Sequence, residues 1–348
     1  MPTARRAQPT VLVAPDKLRG TLGAVDAASA ISAAAPGARW AADSCPLSDG
    51  GDGFVQVMGR PGGRLWAATV CGPLGQAVVA HWLLDGPLAV VESATASGLE
   101  LAGGPAGNRP LEATSRGTGE LVAAAVESGA RRVVVGVGGT ATTDGGLGAL
   151  EALEEAGGTG DVELVVACDV RTGFLDAAER FGPQKGAGAE ERSVLGERLV
   201  ELAEWYRRRY GVDVTTLPGS GAGGGLVGGL AAIGARLVAG FEVVADRVDL
   251  AARLRVAALA IGAEGRLDAS SWEGKVVGGL AGRSAAAGVP MVVLAGSADH
   301  EGLEGAATRG IEVVILEDRY GEARARRQTA RCLADAAARV LKERGPGR

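Results

Sequence analysis

Short runs of β-branched and apolar residues recur along this 348-residue chain. Most are followed by an Ala- and Leu-rich segment of helical period, and this rhythm limits the fold more than any other feature. Such alternation builds βαβ units, whose crossover helices make neighbouring strands run parallel. The spacing predicts strands over Thr10–Ala14, Arg39–Asp43, Arg132–Val137, Glu163–Ala167, Ala257–Gly262, Pro290–Ala295 and Ile311–Leu316. It predicts helices over Leu22–Ala34, Gly146–Glu155, Lys275–Ala287 and Glu322–Lys342.

One stretch breaks the rhythm. From Arg64 to Glu92, three strand-like runs are separated by Gly72-Pro73-Leu74-Gly75 and Asp85-Gly86-Pro87, the signature of an antiparallel meander. The pattern predicts an α/β protein of two domains. Residues 1–64 and 255–348 form a discontinuous Rossmann- or flavodoxin-like parallel-sheet domain, and residues 65–254 an inserted α/β domain with a mixed sheet.

A chain this long can bury a large core, and one that is 47% hydrophobic and 22% charged is not disordered. The net charge of −5 excludes nucleic acid or an anionic membrane as the default partner, since both need a basic field. Cys45, Cys71, Cys168 and Cys332 are too far apart for a zinc knuckle or a disulfide framework. The apolar run after Arg5 and Arg6 is cut by Asp16 and Lys17, and the uncharged stretch Val214–Ala235 is too rich in glycine for a membrane helix. A cytoplasmic protein is expected, working on small molecules as a monomer or homodimer.

Four glycine-rich segments suggest what those molecules are. They are Leu47-Ser48-Asp49-Gly50-Gly51-Asp52-Gly53, Gly138-Gly139-Thr140-Ala141-Thr142-Thr143-Asp144-Gly145-Gly146, Pro218-Gly219-Ser220-Gly221-Ala222-Gly223-Gly224-Gly225, and Gly262-Ala263-Glu264-Gly265-Arg266-Leu267-Asp268. Glycine amides can cradle phosphate oxygens, and carboxylates beside them can carry a hard cation such as Mg²⁺. Together they point to phosphoryl chemistry.

In open α/β sheets, ligands sit beyond the carboxyl ends of the strands. Acids occupy five of these exits, as Asp16, Asp49, Asp144, Asp169, and Glu264 with Asp268. Any one alone would be an ordinary Asx turn. Lys17 and Lys185 are the loop cations placed to meet phosphate. Gly136–Ala141 and Gly219–Gly224 imitate dinucleotide fingerprints, which keeps an NAD(P)-dependent oxidoreductase as an alternative, with Asp169 as the ribose acid. Walker A and the protein-kinase motifs are absent, and two histidines in the chain leave little for histidine catalysis.

The motifs resemble those of the type I glycerate kinase family. The match is collinear from Val11 to about Leu316. It takes in Ala14-Pro15-Asp16-Lys17, Pro46 to Gly53, Thr114-Ser115-Arg116-Gly117-Thr118-Gly119-Glu120-Leu121, Gly138 to Asp144, Ala167-Cys168-Asp169-Val170, Phe181-Gly182-Pro183-Gln184-Lys185-Gly186-Ala187, Pro218 to Gly225, and Glu264 to Asp268 with Gly274-Lys275. The resemblance implies two α/β domains with the active site in the cleft between them, and ATP-dependent phosphorylation of D-glycerate, usually at the 2-position. The chain has Leu18-Arg19-Gly20-Thr21 where the family usually has Phe-Lys-Gly-Ser, and Gly262-Ala263-Glu264-Gly265 where it has Thr-Gly-Glu-Gly. A non-catalytic nucleotide-binding relative is a further alternative.

Phosphoryl transfer needs positioning, charge neutralisation and an acceptor for the hydroxyl proton. The expected nucleotide ligands are Gly138, Gly139 and Thr140 with Gly219, Ser220, Gly221, Gly223 and Gly224. The expected base is Asp169, then Asp268. Lys17 and Lys185 stabilise the transferring group, Asp144 and Glu264 hold Mg²⁺, and Asp16, Asp49 and Arg266 bind the substrate.

Overall fold

The computed structural model describes residues 8–59 and 62–345, so Arg5 and Arg6 lie outside the described residues. It contains eleven strands: β1 (Thr10–Val13), β2 (Ala41–Ser44), β3 (Arg64–Cys71), β4 (Ala77–Asp85), β5 (Leu88–Glu92), β6 (Arg132–Gly136), β7 (Glu163–Ala167), β8 (Arg236–Val238), β9 (Leu259–Leu267), β10 (Met291–Ala298) and β11 (Glu312–Ile315). The chain divides into two compact units. One is formed by the residues up to Asp49 and from Phe241 onward, the other by Gly50–Gly240.

The two-ended unit holds a five-stranded sheet of order β11-β10-β9-β1-β2. Every pairing in it is parallel. Numbered within the unit, this is the flavodoxin-like order 2-1-3-4-5, with its topological switch point between β1 and β9. The interior strand β1 is apolar on both faces, as expected of a parallel sheet covered on both sides. Val11, Leu12 and Val13 are fully buried, and the helices Ala24–Ser32 and Thr329–Arg344 pack Ile31, Leu333 and Val340 into the same core as Val11 and Val13.

The inserted unit holds a six-stranded sheet of order β3-β4-β5-β6-β7-β8. β3, β4 and β5 form the expected antiparallel meander, and β5 through β8 are parallel, so the sheet is mixed. Its core gathers Trp82, Val91, Leu121, Val135, Leu150, Val166, Phe174 and Tyr206.

The junctions fall nearer the N-terminus than the sequence boundaries at 64/65 and 254/255, and packing explains why. A Cβ on Gly136 of β6 would lie 2.8 Å from the Phe54 ring, so the helix Phe54–Met58 belongs with the inserted sheet. Gly279 is likewise covered by the Phe241 ring, which ties the helix Gly240–Arg247 to the two-ended unit.

Three sequence expectations are corrected. The helix expected over Glu322–Lys342 breaks at Gln328 into Glu322–Arg327 and Thr329–Arg344. β9 does not end at Gly262 but runs on to Leu267, and β10 does not end at Ala295 but runs to Ala298. Their ladder continues through Ala295–Glu264 and Ser297–Arg266. There Gly265 and Gly296 let the backbones close together, since a Cβ on Gly296 would lie 2.4 Å from the Gly265 carbonyl oxygen. Glu264 and Arg266 therefore stand on a strand and not in a glycine loop. No helix among the described residues is long and apolar enough to cross a membrane.

Candidate active site

The switch point of the two-ended unit gathers three of the six predicted acids, Asp16, Asp49 and Glu264. Beyond β1 the ladder continues irregularly: Ala14 N donates to Ile261 O at 2.8 Å and Asp16 N to Ala263 O at 2.9 Å. On the other side Leu47 N donates to Pro15 O at 2.9 Å. These bonds carry Asp16 and Lys17 between the exit of β2 and the middle of β9. Lys17 Nζ lies 2.9 Å from Asp49 Oδ1, and the Lys17 amide donates to Asp16 Oδ1 at 2.7 Å.

Asp16 keeps part of its surface in water, yet its carboxyl group is shielded. That desolvation, opposed by Lys17 and reinforced by Asp49, pushes its pKa up to about 7. Glu264, one residue beyond the Ala263 carbonyl that holds Asp16, is buried. Its pKa is pushed up to about 8 by burial first, against the Ser271 hydrogen bond that lowers it, with Asp16 raising it further. Oε2 accepts the Ser271 hydroxyl at 3.0 Å, while Oε1 is buried without a protein partner. Buried polar oxygens are rarely left so.

Asp268 is differently placed. It caps the short turn Ala269–Trp272, accepting the Ser270 hydroxyl, and Ser270 holds its pKa below the usual carboxylate range. Lys275 Nζ donates in turn to Ser270 Oγ. Arg266 is exposed and pairs with Asp299 at 3.3 Å.

In the inserted unit the predicted residues fall into separate places. Asp144 Oδ2 accepts from Ser115 N at 2.7 Å, Ser115 Oγ at 2.8 Å and Gly148 N at 3.3 Å, and Oδ1 accepts from Gly146 N at 3.2 Å. Both oxygens thus serve the starts of the helices Arg116–Glu127 and Leu147–Glu155. Asp169 Oδ1 accepts the Gly240 amide at 2.8 Å. Lys185, expected at a loop surface, is instead buried, with Nζ donating to Thr142 O at 2.5 Å and Thr140 Oγ1 at 3.3 Å. Burial lowers its pKa to about 7 against the pull of Asp144.

The loop from Pro218 to Gly225 is glycine-rich because it is packed on backbone. A Cβ on Gly221 would lie 2.0 Å from the Gly173 carbonyl oxygen, and one on Gly224 would lie 1.9 Å from that of Thr142. The amides of Ser220, Gly221, Ala222 and Gly225 donate to Leu217, Thr172, Gly219 and Gly221. Gly223 and Gly224, both at positive φ, stand immediately before the helix Leu226–Ala232.

Neither dinucleotide imitation has the required context. After β6 the chain stays irregular until the helix at Leu147, and the second segment follows a 3₁₀ turn, Val214–Thr216, instead of a strand. Among the described residues no group of three or more His, Cys, Asp or Glu is arranged to hold a metal. Sequence reasoning did not select Ser270, Ser271, Lys275 or Asn108. The Asp-x-Ser-Ser spacing at 268–271 is a capping signal that could have found the first two; for Asn108 the sequence offers none.

A model of the glycerate kinase family matches residues 11–158 and 154–344. An uncharacterized protein of Mycobacterium bovis is 42% identical over 301 residues, covering 82% of this chain and 78% of its own length. The glycerate 2-kinase of Escherichia coli K12 is 38% identical over 327 residues, covering 82% and 85%. A crystal structure assigned as a glycerate kinase 2 of Salmonella typhimurium LT2 superposes with a TM-score of 0.76 at 33% identity, covering 97% of this chain and 99% of that one.

Proposed function

Because the chain belongs to the glycerate kinase family, a family of phosphotransferases with an alcohol acceptor, we propose that it transfers the γ-phosphoryl group of ATP to D-glycerate, giving 2-phosphoglycerate. The observation that carries this reading is the group Asp16, Lys17, Asp49 and Glu264 at the β1/β9 switch point, where an open α/β sheet takes its ligand. Two shielded carboxyl groups beside an anchored cation are the parts that an alcohol and a phosphoryl group require.

Asp16 is the proton acceptor in this reading. Oδ1 is held by the Lys17 amide, which leaves Oδ2 for the hydroxyl proton as the alcohol oxygen attacks phosphorus. A carboxyl group with a pKa near neutrality is matched to that transfer, whereas Asp268, whose pKa the Ser270 hydrogen bond lowers, is less so. Lys17, fixed by Asp49, neutralises charge gathering on the transferred group.

Mg²⁺ is usually held by one or two carboxylates plus substrate phosphates. Glu264 Oε1 fits that task as a buried oxygen without a protein partner, and Asp144, whose oxygens are already taken by hydrogen bonds, does not. When bound, the cation would neutralise phosphate charge. Gly138 to Thr140 and the Gly223–Gly224 turn are the amide groups offered to nucleotide phosphates. A role for Arg266 on the substrate carboxylate requires it to leave Asp299.

The test is a coupled ADP-release assay with ATP over D-glycerate, L-glycerate and other small hydroxy acids, the product being read by phosphorus NMR. D-Glycerate-dependent ADP release with a 2-phosphate signal is expected. Turnover confined to another hydroxy acid would replace the substrate assignment, and no phosphoryl transfer to any of them would remove the proposal.

A further inference from the structure

Lys185 lies in a segment that reads as a surface phosphate ligand, yet it is buried, and its ammonium is directed at the backbone of another loop. That loop, Gly138–Gly146, runs from the end of β6 to the helix Leu147–Glu155 and includes the amides offered to phosphate. Lys185 Nζ donates to Thr142 O at 2.5 Å and Thr140 Oγ1 at 3.3 Å. Beside it, buried Asn108 donates from Nδ2 to Ala141 O at 3.1 Å and to the Lys185 carbonyl at 2.8 Å. Three successive residues of the loop are thus gripped from behind by two side chains, one of which also holds the backbone of the other.

Placing an ammonium wholly inside a protein is costly, and a methionine would fill similar space without that cost. The position is occupied by a lysine whose two ammonium hydrogen bonds both go to one loop. We propose that Lys185 is a positioning residue: it does not touch phosphate but fixes, together with Asn108, the conformation of Thr140–Thr142 in which the preceding Gly138–Thr140 turn receives the nucleotide.

This inference rests on the kinase reading for its kinetic consequence but not for its structural one. Lys185→Met, Asn108→Ala and the double variant are compared by steady-state kinetics and by amide hydrogen exchange of the apo protein. Each single variant is expected to lower kcat about ten- to a hundredfold, with the KM for glycerate within twofold, and to speed exchange at residues 140–146 at least tenfold while β5 to β7 stay protected. The double variant is expected to lose little beyond the worse single, because both side chains act through one loop. If Lys185 contacted phosphate directly and alone, Lys185→Met would lose turnover while Asn108→Ala spared kcat; that result, or unchanged exchange in Lys185→Met, overturns the proposal. Should the wild-type protein show no phosphoryl transfer, the kinase reading fails, and the exchange data still decide whether Lys185 and Asn108 hold the loop.

Discussion

Lys17 and Asp49 form an ion pair of 2.9 Å that links the exits of β1 and β2, with Asp16 carried between that pair and the middle of β9. Burial raises the Asp16 pKa most, Lys17 lowers it and Asp49 raises it, so the pair adjusts where Asp16 titrates. Replacing Lys17 by Met removes the lowering cation, so the acid limb of the kcat/KM profile should move from near pH 7 to higher pH. The loss of charge neutralisation should also lower kcat by about 10² or more. A pH-rate profile checks both, and a limb that stays in place would separate Asp16 from the titrating base.

Glu264 makes an opposite demand on stability. Its carboxyl titrates at about 8 in the folded protein and near 4.5 when unfolded, so the unfolded state ionises first as the pH rises. Stability from this group is complete below pH 4.5, falls between 4.5 and 8, and is level above that. Glu264→Gln removes the penalty at the cost of the ligand oxygen. The variant should melt several degrees above the wild type at pH 8 and within a degree or two of it at pH 4.5, with turnover largely lost. Thermal unfolding at the two pH values measures the difference; equal shifts at both would mean that Glu264 is ionised in the fold without strain.

Gly224 sits at φ +70° with the Thr142 carbonyl oxygen 1.9 Å from where a Cβ would stand. Gly224→Ala must therefore push apart the loop that Lys185 grips, and should cost about 3 kcal/mol or more. Gly157 provides the control, being at φ +90° with nothing within 4 Å. Gly157→Ala should cost only the left-handed backbone term of about 1–2 kcal/mol. Urea unfolding of the two variants would expose any failure of this ordering.

The fold was legible in the sequence because periodicity reports burial. The all-apolar run at β1 and the turn residues bounding β3 to β5 each have a single reading. The strand ends were less so: the glycines at 262 and 265 look like a loop, and only the partner strand, with Gly296 opposite, turns them into a ladder. At the site, Asp16, Lys17, Asp49 and Glu264 stand out in the sequence as charged residues near the ends of apolar runs, but the shielding that separates one carboxyl group from another is encoded by no spacing. Lys185 shows the limit most plainly. A lysine between proline and glycine reads as exposed, and its burial follows from Thr142 and Asn108, residues far away in sequence.

That buried ammonium gives the last prediction. Burial depresses the Lys185 pKa to about 7 from an ordinary 10.5, so the folded protein gives up the proton before the unfolded chain does. Above pH 10.5 the group is neutral in both states and costs nothing. As the pH falls from 10.5 to 7 the unfolded state takes up a proton that the folded state resists, and stability declines by about 1.4 kcal/mol per unit of depression before levelling off below pH 7. Lys185→Met escapes this decline, while leaving the Thr142 carbonyl without its donor costs roughly 1–3 kcal/mol at every pH. The difference in melting temperature, variant minus wild type, should thus be greatest at pH 6 to 7 and shrink steadily toward pH 10. A difference that does not change with pH would show that Lys185 keeps its proton in the fold throughout that range.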